Sequence, residues 1–286
     1  YNRGTVRNSY STATVTGSST NVGGLIGYNY REGKVISSYA SGKVTSTSSY
    51  VGGLIGTNAG GSVETSYATG NVKGTYIVGG LIGYNNKNNT TYTGTVSKSY
   101  ASGNVESTTT PNGIYYLYRS SSNTTSSAYQ YNMYHAYIGG LVGQNTGTLL
   151  DTYALGNITV TDEAASKTNE TYVYYMMRSI GGLVGQNTGT VTNAYAIGKI
   201  SGITSTTITI GSNGNGIGTV IGENGYYGSC NYSTCEGSSN KWNYSKTGTY
   251  SNIYYVVDTT GVYSDVFASK IDTIGAATLK ETFPGF

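Results

Sequence analysis

One eight-residue phrase constrains the fold of this chain more than any other feature. Val22-Gly23-Gly24-Leu25-Ile26-Gly27-Tyr28-Asn29 returns at Val51 to Asn58, Val78 to Asn85, Ile138 to Asn145, Ile180 to Asn187 and, degraded, at Ile217 to Asn224. A phrase that recurs at intervals of tens of residues marks a solenoid or array, in which each unit buries its apolar face only against its neighbours. Length alone would divide 286 residues into roughly two globular domains. The repeat overrides that expectation.

Aligned copies give a unit of three extended segments. The first reads Gly-Thr-Val and runs to a tyrosine four residues on, as in Val6 to Tyr10, Val35 to Tyr39, Val63 to Tyr67, Val96 to Tyr100, Leu149 to Tyr153 and Val191 to Tyr195. The second is Ala-x-Gly-x-Val, as in Ala40-Ser41-Gly42-Lys43-Val44, and the third is the phrase itself. Spacings of 29 residues from Gly23 to Gly52 and 27 from Gly52 to Gly79 suit a three-sided parallel β-helix. Gly, Thr, Val, Asn and Ser fill every unit without a 3.6-residue stripe, so helix is a poor alternative to strand in the repeats. The expected class is all-β, a parallel β-solenoid of about six coils over residues 1–224 with a capping region over 225–286.

A period of two assigns alternate residues to opposite faces. In the second segment Ser38, Ala40, Gly42 and Val44 share one parity, small enough for a narrow interior, while Tyr39, Ser41 and Lys43 share the other. Lysine is costly in a dry core, so the tyrosines face outward. Stacked in register, Tyr10, Tyr39, Tyr67, Tyr100, Tyr153 and Tyr195 form a ladder with rungs about 4.8 Å apart. The rings either cover the sheet and stack on one another or serve a binding or lateral-association face, a planar row suited to carbohydrate or a sister filament. Within the phrase, the Tyr28 position varies as Tyr, Thr, Tyr, Gln, Gln and Glu and is expected to be exposed. Val22 and Ile26 share its parity. Either a turn divides the phrase or this apolar face is buried by another chain. The closing asparagines, Asn29, Asn58, Asn85, Asn145, Asn187 and Asn224, suit a coil-to-coil amide ladder at a corner.

Later coils carry insertions at 106–137, 159–179 and 201–216, all leaving the same corner and therefore gathered on one flank. The first reads as a hairpin arm, Ile114 to Tyr118 and then Tyr129 to Tyr131, beside which Tyr172 to Tyr175 can pair. Its Tyr115, Tyr116, Tyr118, Tyr129 and Tyr131, with Tyr174, are aromatics on loops held by a stiff scaffold, arranged either for recognition or for packing between loops. Beyond Asn224 the repeat fades through Trp242 to a strand at Ile253 to Val257, a turn at Asp258 to Gly261 and one or two helical turns at Ala276 to Glu281. The chain starts in mid-unit, as a fragment of a longer array or a processed subunit would, and an uncapped edge there would template stacking.

Sixteen basic and 13 acidic residues leave a net charge of +3 without a like-charge block, so nucleic acid is not an expected partner. No apolar run reaches the ~20 residues of a membrane-spanning helix. Cys230 and Cys235, with four residues between them, suit a small disulfide loop in an oxidising compartment, with two free thiols as the alternative. Candidate N-glycosylation acceptors are Asn88, Asn89, Asn123, Asn157, Asn169, Asn231 and Asn243, a number that chance partly explains in a chain so rich in Asn, Ser and Thr. Two thiols and one distant histidine, His135, cannot fill a zinc site. No cofactor is expected.

The Gly-Leu-x-Gly core, the Gly-x-Val that follows it and the Tyr-Ala-x-Gly-x-Val segment resemble the GLUG repeat family over about residues 1–224, and Thr273 to Phe286 looks like the tail that closes such arrays. The resemblance implies an exported bacterial surface protein, as in large adhesins and the non-catalytic regions of some IgA-cleaving metallopeptidases. The His-Glu-x-x-His helix that a metallopeptidase requires is missing here. A carbohydrate-cleaving enzyme would need paired carboxylates, and Glu32, Glu64, Glu106, Asp151, Asp162 and Glu163 show no recurring paired spacing. The expectation is therefore an extracellular structural or adhesive, non-enzymatic protein. It would self-associate into a fibre or array, or meet a surface protein or glycan.

Overall fold

The computed structural model describes residues 1–109, 117–118, 135–162, 172–173, 177–202, 216–218, 220–224, 226–227, 244–245, 247–255 and 272–273. It is a parallel β-solenoid, and each coil has four sides. Sheet I joins Thr5–Arg7, Lys34–Ile36, Ser62–Glu64, Thr95–Ala101, Thr148–Ala154, Thr190–Ala196 and Thr249–Tyr255, each strand pairing with the one a coil later. Sheet II runs from Val15–Gly17 through Val44–Ser46, Val72–Gly74, Val105–Thr109 and Ile158–Asp162 to Ile200–Ser201. Sheet III begins at Val22–Gly23 and sheet IV at Ile26–Tyr30, both continuing for six coils.

The fourth side comes from the phrase. A turn at Gly24-Leu25 separates sheets III and IV, so of the two alternatives the chain takes the turn. Val22, Val51, Val78, Ile138 and Ile180 then pack against Val44, Val72, Val105 and Ile158 of sheet II in one apolar column. Ile26, Ile55, Ile82, Val142 and Val184 pack with the turn leucines against Val35, Val63, Val96, Leu149 and Val191 of sheet I in a second. The apolar face, for which another chain was the alternative cover, is buried within the solenoid itself. Leu54, Leu81, Leu141 and Leu183 point inward and are fully buried.

Glycine is required at this turn by contact rather than by φ. A Cβ on Gly53 would sit 2.2 Å from the Gly80 carbonyl oxygen and 2.8 Å from the Ala68 Cβ, and Gly24, Gly80 and Gly140 meet the next coil in the same way. Successive turns stack too closely for any side chain.

Sheet I bends between its valine and its tyrosine. The residue two before each tyrosine has a left-handed backbone: Asn8, Ser37, Thr65, Lys98, Asp151 and Asn193, with φ of 48° to 54°. The next residue closes the bend. Ser38, Ser66 and Ser99 each donate the hydroxyl to a carbonyl two residues back, at 2.7 to 2.8 Å, and accept the backbone N–H of the preceding coil. The inward parity of Ser38, Ala40, Gly42 and Val44 holds, and all four are buried.

The Tyr28 column departs from expectation. Thr57, Gln186 and Glu223 are almost fully buried and Tyr28, Tyr84 and Gln144 partly so, whereas variable polar residues were expected in solvent. The turn folds this column toward the residue that opens sheet III one coil earlier. Thr57 donates to Asn21, Tyr84 stacks on Tyr50, Gln186 donates to the Tyr137 hydroxyl, and Glu223 accepts from Ser179.

Sheet I runs past Asn224 into the region for which a cap was expected. Thr249–Tyr255 pairs in register with Thr190–Ala196, and Asp272–Thr273 pairs with its end. Strand also enters the margins of the first insertion, because Val105–Thr109 and His135–Gly139 lengthen sheets II and III. The expected turn at Asp258 to Gly261 and the helical turns at Ala276 to Glu281 lie outside the described residues.

Candidate association surface

In-register stacking places the six tyrosines of sheet I in one column. Tyr10, Tyr39, Tyr67, Tyr100, Tyr153 and Tyr195 follow one another at ring-centroid separations of 5.2, 5.0, 4.9, 4.7 and 4.9 Å, with planes within 9° of parallel. Backbone register carries the column to Tyr254. Burial holds the phenols of Tyr100, Tyr153 and Tyr195 above their ordinary pKa, so they stay neutral in any physiological medium.

This geometry narrows what the column can bind. Parallel rings about 5 Å apart turn their faces to one another, and what they show outward is edges and hydroxyls. A sugar that stacks on an aromatic face finds that face already covered by the next ring. Tyr10, at the head of the column, is the exception at 65% exposed, against 9% for Tyr195. The column therefore suits edge-on lateral contact better than face-on carbohydrate stacking.

Beyond their margins, the insertions are described where the first two meet. Leu117–Tyr118 pairs antiparallel with Tyr172–Val173, Tyr118 opposite Tyr172, so the first two insertions meet as their sequences predicted. Tyr115, Tyr116, Tyr129, Tyr131 and Tyr174 lie outside the described residues, as do Cys230, Cys235, Asn123, Asn169, Asn231 and Asn243. Three acceptor asparagines are described. Asn88 has its amide nitrogen buried, whereas Asn89 is exposed and its side-chain oxygen accepts from the Thr91 and Tyr92 amides. Asn157 is exposed and accepts from the Lys199 amide a coil later.

The asparagine ladder is continuous. Each Nδ2 donates to the Oδ1 one coil on, from Asn2 through Asn29, Asn58, Asn85, Asn145 and Asn187 to Asn224, at 2.8 to 2.9 Å. The second amide proton goes to a glycine carbonyl at the same corner, Gly33 for Asn29 and Gly61 for Asn58. These amides stiffen the scaffold that carries the outer columns.

A second aromatic cluster was not anticipated. Tyr1, Tyr28 and Tyr30 meet at the corner between sheets IV and I, with the Arg3 guanidinium 4.9 Å from the Tyr30 ring centre and that of Arg31 4.7 Å away. Tyr92 reaches back from the Lys87 to Thr93 loop, its ring 5.4 Å from Arg31 and its hydroxyl on the Glu32 carboxylate. That bond lowers the Glu32 pKa and raises that of Tyr92. The alternation of Tyr with Arg at residues 1, 3, 30 and 31 was the available signal. It crosses coils, so it becomes legible only once the register is known.

Among the described residues no helix is long and apolar enough to cross a membrane. The searches of curated proteins and of solved structures return no match. The family model of the GLUG motif matches residues 18–45, 47–73 and 178–201. Each match carries the Gly-Gly-Leu turn and the Tyr-Ala-x-Gly segment on which the four-sided coil depends, so these three stretches of the solenoid are GLUG-motif repeats.

Proposed function

We propose that this chain is an extracellular structural or adhesive segment, a stiff rod that holds association surfaces away from a cell or within a fibre. The observation that carries the reading is the unbroken register of six coils, locked by the buried asparagine ladder along about 30 Å of axis. Such a rod resists bending and repeats the same outer residues at every coil, which suits repeated lateral contacts. The GLUG motif supports the same reading. No catalytic role is assigned. Glu106 is paired with Lys73, Glu32 with the Tyr92 hydroxyl, Asp151 with Asn193, and Glu223 is sealed against Ser179, so these carboxylates serve the scaffold. Immunogold labelling of intact source cells, with electron microscopy of the purified protein, tests the proposal. Label at the surface and rod-shaped particles are expected, and label that appears only after permeabilisation would overturn it.

A further inference from the structure

Within the stacked coils order along the sequence is order along the axis, so the charges of residues 1–105, all of them described, have places in space. Residues 1–105 carry eight Lys and Arg against two Asp and Glu, a net +6, and residues 106–286 carry eight against eleven, a net −3. The whole-chain value of +3 hides a basic half. Six of its cations, Arg3, Arg7, Arg31, Lys34, Lys87 and Lys98, lie on the outer side of sheet I or at its corner with sheet IV, against Glu32 and Glu64.

Register explains how they gather. Val6 and Val35 point inward, so Thr5 and Arg7 on one strand and Lys34 and Ile36 on the next point outward, with Lys34 beside Thr5 and Arg7 beside Ile36. Arg3 and Arg31 extend this patch at the corner, each held against Tyr30. A guanidinium laid against rings is held in place while its N–H edge remains the donor edge that recognises carboxylate or sulfate. Between the cations stand Ser62, Thr95 and Ser97 in the same outward columns, and then the tyrosine hydroxyl edges.

We propose that this face of the first four coils binds an acidic polysaccharide, its carboxylates or sulfates on Arg3, Arg7, Arg31 and Lys34 and its hydroxyls on the intervening Ser, Thr and Tyr side chains. The proposal rests on the adhesive reading and names its partner chemistry. Charge density selects the class of polymer. Duplex nucleic acid presents a charge every ~1.7 Å of axis, far denser than cations distributed over coils spaced ~4.8 Å apart with neutral hydroxyls between them. A bilayer would call for large apolar side chains beside the cations. Beside the cations stand the half-buried Ile36 and two exposed tyrosines, Tyr1 and Tyr10, each carrying a polar hydroxyl, whereas the exposed aliphatics among the described residues, Leu150 and Ile197, lie on later coils.

The test measures binding of the purified full chain to chondroitin sulfate and polygalacturonate, with dextran, duplex DNA and phosphatidylserine vesicles as comparisons. Binding to both acidic polysaccharides that weakens with added salt, and none to dextran, is expected. The triple substitution Arg3→Ser, Arg7→Ser, Lys34→Ser is expected to weaken binding at least tenfold, and Lys199→Ser on a late coil to change it less than twofold. Glu32→Gln removes the opposing carboxylate and is expected to tighten binding severalfold, a gain that misfolding cannot mimic. No binding to either acidic polysaccharide at low salt, equal binding to DNA or vesicles, or an unchanged affinity in the triple variant would each overturn the proposal. Surface labelling without polysaccharide binding removes this site alone, and binding without surface labelling removes the cellular location alone.

Discussion

Asn85 shows what a single side chain does in this molecule. Its oxygen accepts from Asn58 and its amide donates to Asn145 and to the Gly94 carbonyl, all out of water. Alanine there would strand donors and acceptors on three coils, and an unpaired buried polar group costs about 1–3 kcal/mol. Asn85→Ala is therefore expected to destabilise the central coils by roughly 2–4 kcal/mol, read by hydrogen exchange of Ile82–Asn86 and Val142–Asn145. Asn157→Ala, which loses one exposed contact, should cost less than about 1 kcal/mol. Glu223 gives a pH dependence. Burial pushes its carboxyl up to about 7 from 4.5, although Ser179 and Gln186 hydrogen bonds oppose the shift. A raised folded-state value means that its stabilising contribution is complete below about 4.5 and is lost as pH rises through about 7. The last coil should loosen between pH 5 and 8 by an amount on the order of 3 kcal/mol, and Glu223→Gln should abolish that dependence. Exchange at Val184–Asn187, compared at the two pH values in both proteins, measures it.

Among the elements, the Gly-Gly-Leu turn has the largest consequence. It converts an extended phrase into two strands facing different partners and so creates two apolar columns where an unbroken strand would leave an exposed Val and Ile face. The turn tolerates no Cβ, because the next coil's carbonyl lies where the atom would go. Gly53→Ala is expected to separate adjacent turns and destabilise the chain by about 3 kcal/mol or more, beyond the usual range for overpacking because backbone rather than a side chain must move. Thermal unfolding followed by circular dichroism checks it, with Gly4→Ala, whose Cβ would meet only the Asn2 side-chain oxygen at 4.0 Å, as the mild comparison. The bend before each tyrosine behaves differently, since Asn, Ser, Thr, Lys and Asp all occupy its left-handed position. There a serine hydroxyl closes the geometry. At Thr152 the hydroxyl is buried without a partner, and a coil later Ala194 takes the position.

The whole molecule is quasi-one-dimensional: each coil is stabilised by the coils on either side of it. Removing one ring from the tyrosine column should therefore act locally. Tyr67→Ala loses the stacks with Tyr39 and Tyr100 and is expected to cost about 1–3 kcal/mol, visible as faster exchange in sheet I of the second to fourth coils while the last coils are unchanged. Loss of protection along the entire axis would show that the column acts cooperatively. The same dimensionality gathers cations spread over the first 98 residues of sequence onto neighbouring coils, a property of the assembled rod that no individual coil has.

Much of this was legible in the residues themselves. Six copies of one phrase, β-branched and glycine-rich, dictate parallel strands stacked at a fixed period. A tyrosine and an asparagine at constant positions in each copy dictate ladders, because in-register stacking superposes identical positions. What the sequence alone could not decide was direction within a coil. The parity of Val22, Ile26 and Tyr28 changes meaning once the chain bends at Gly24-Leu25, and at the Tyr28 position Thr57, Tyr84, Gln186 and Glu223 find partners on the preceding coil while Gln144 donates to Gln186 on the following one. The stacking of the tyrosine rings face to face, and the meeting of Arg3, Tyr30, Arg31 and Tyr92, likewise depend on contacts across coils. A linear pattern records which residues share a column, but only the tertiary fold sets which way the column faces and what lies against it.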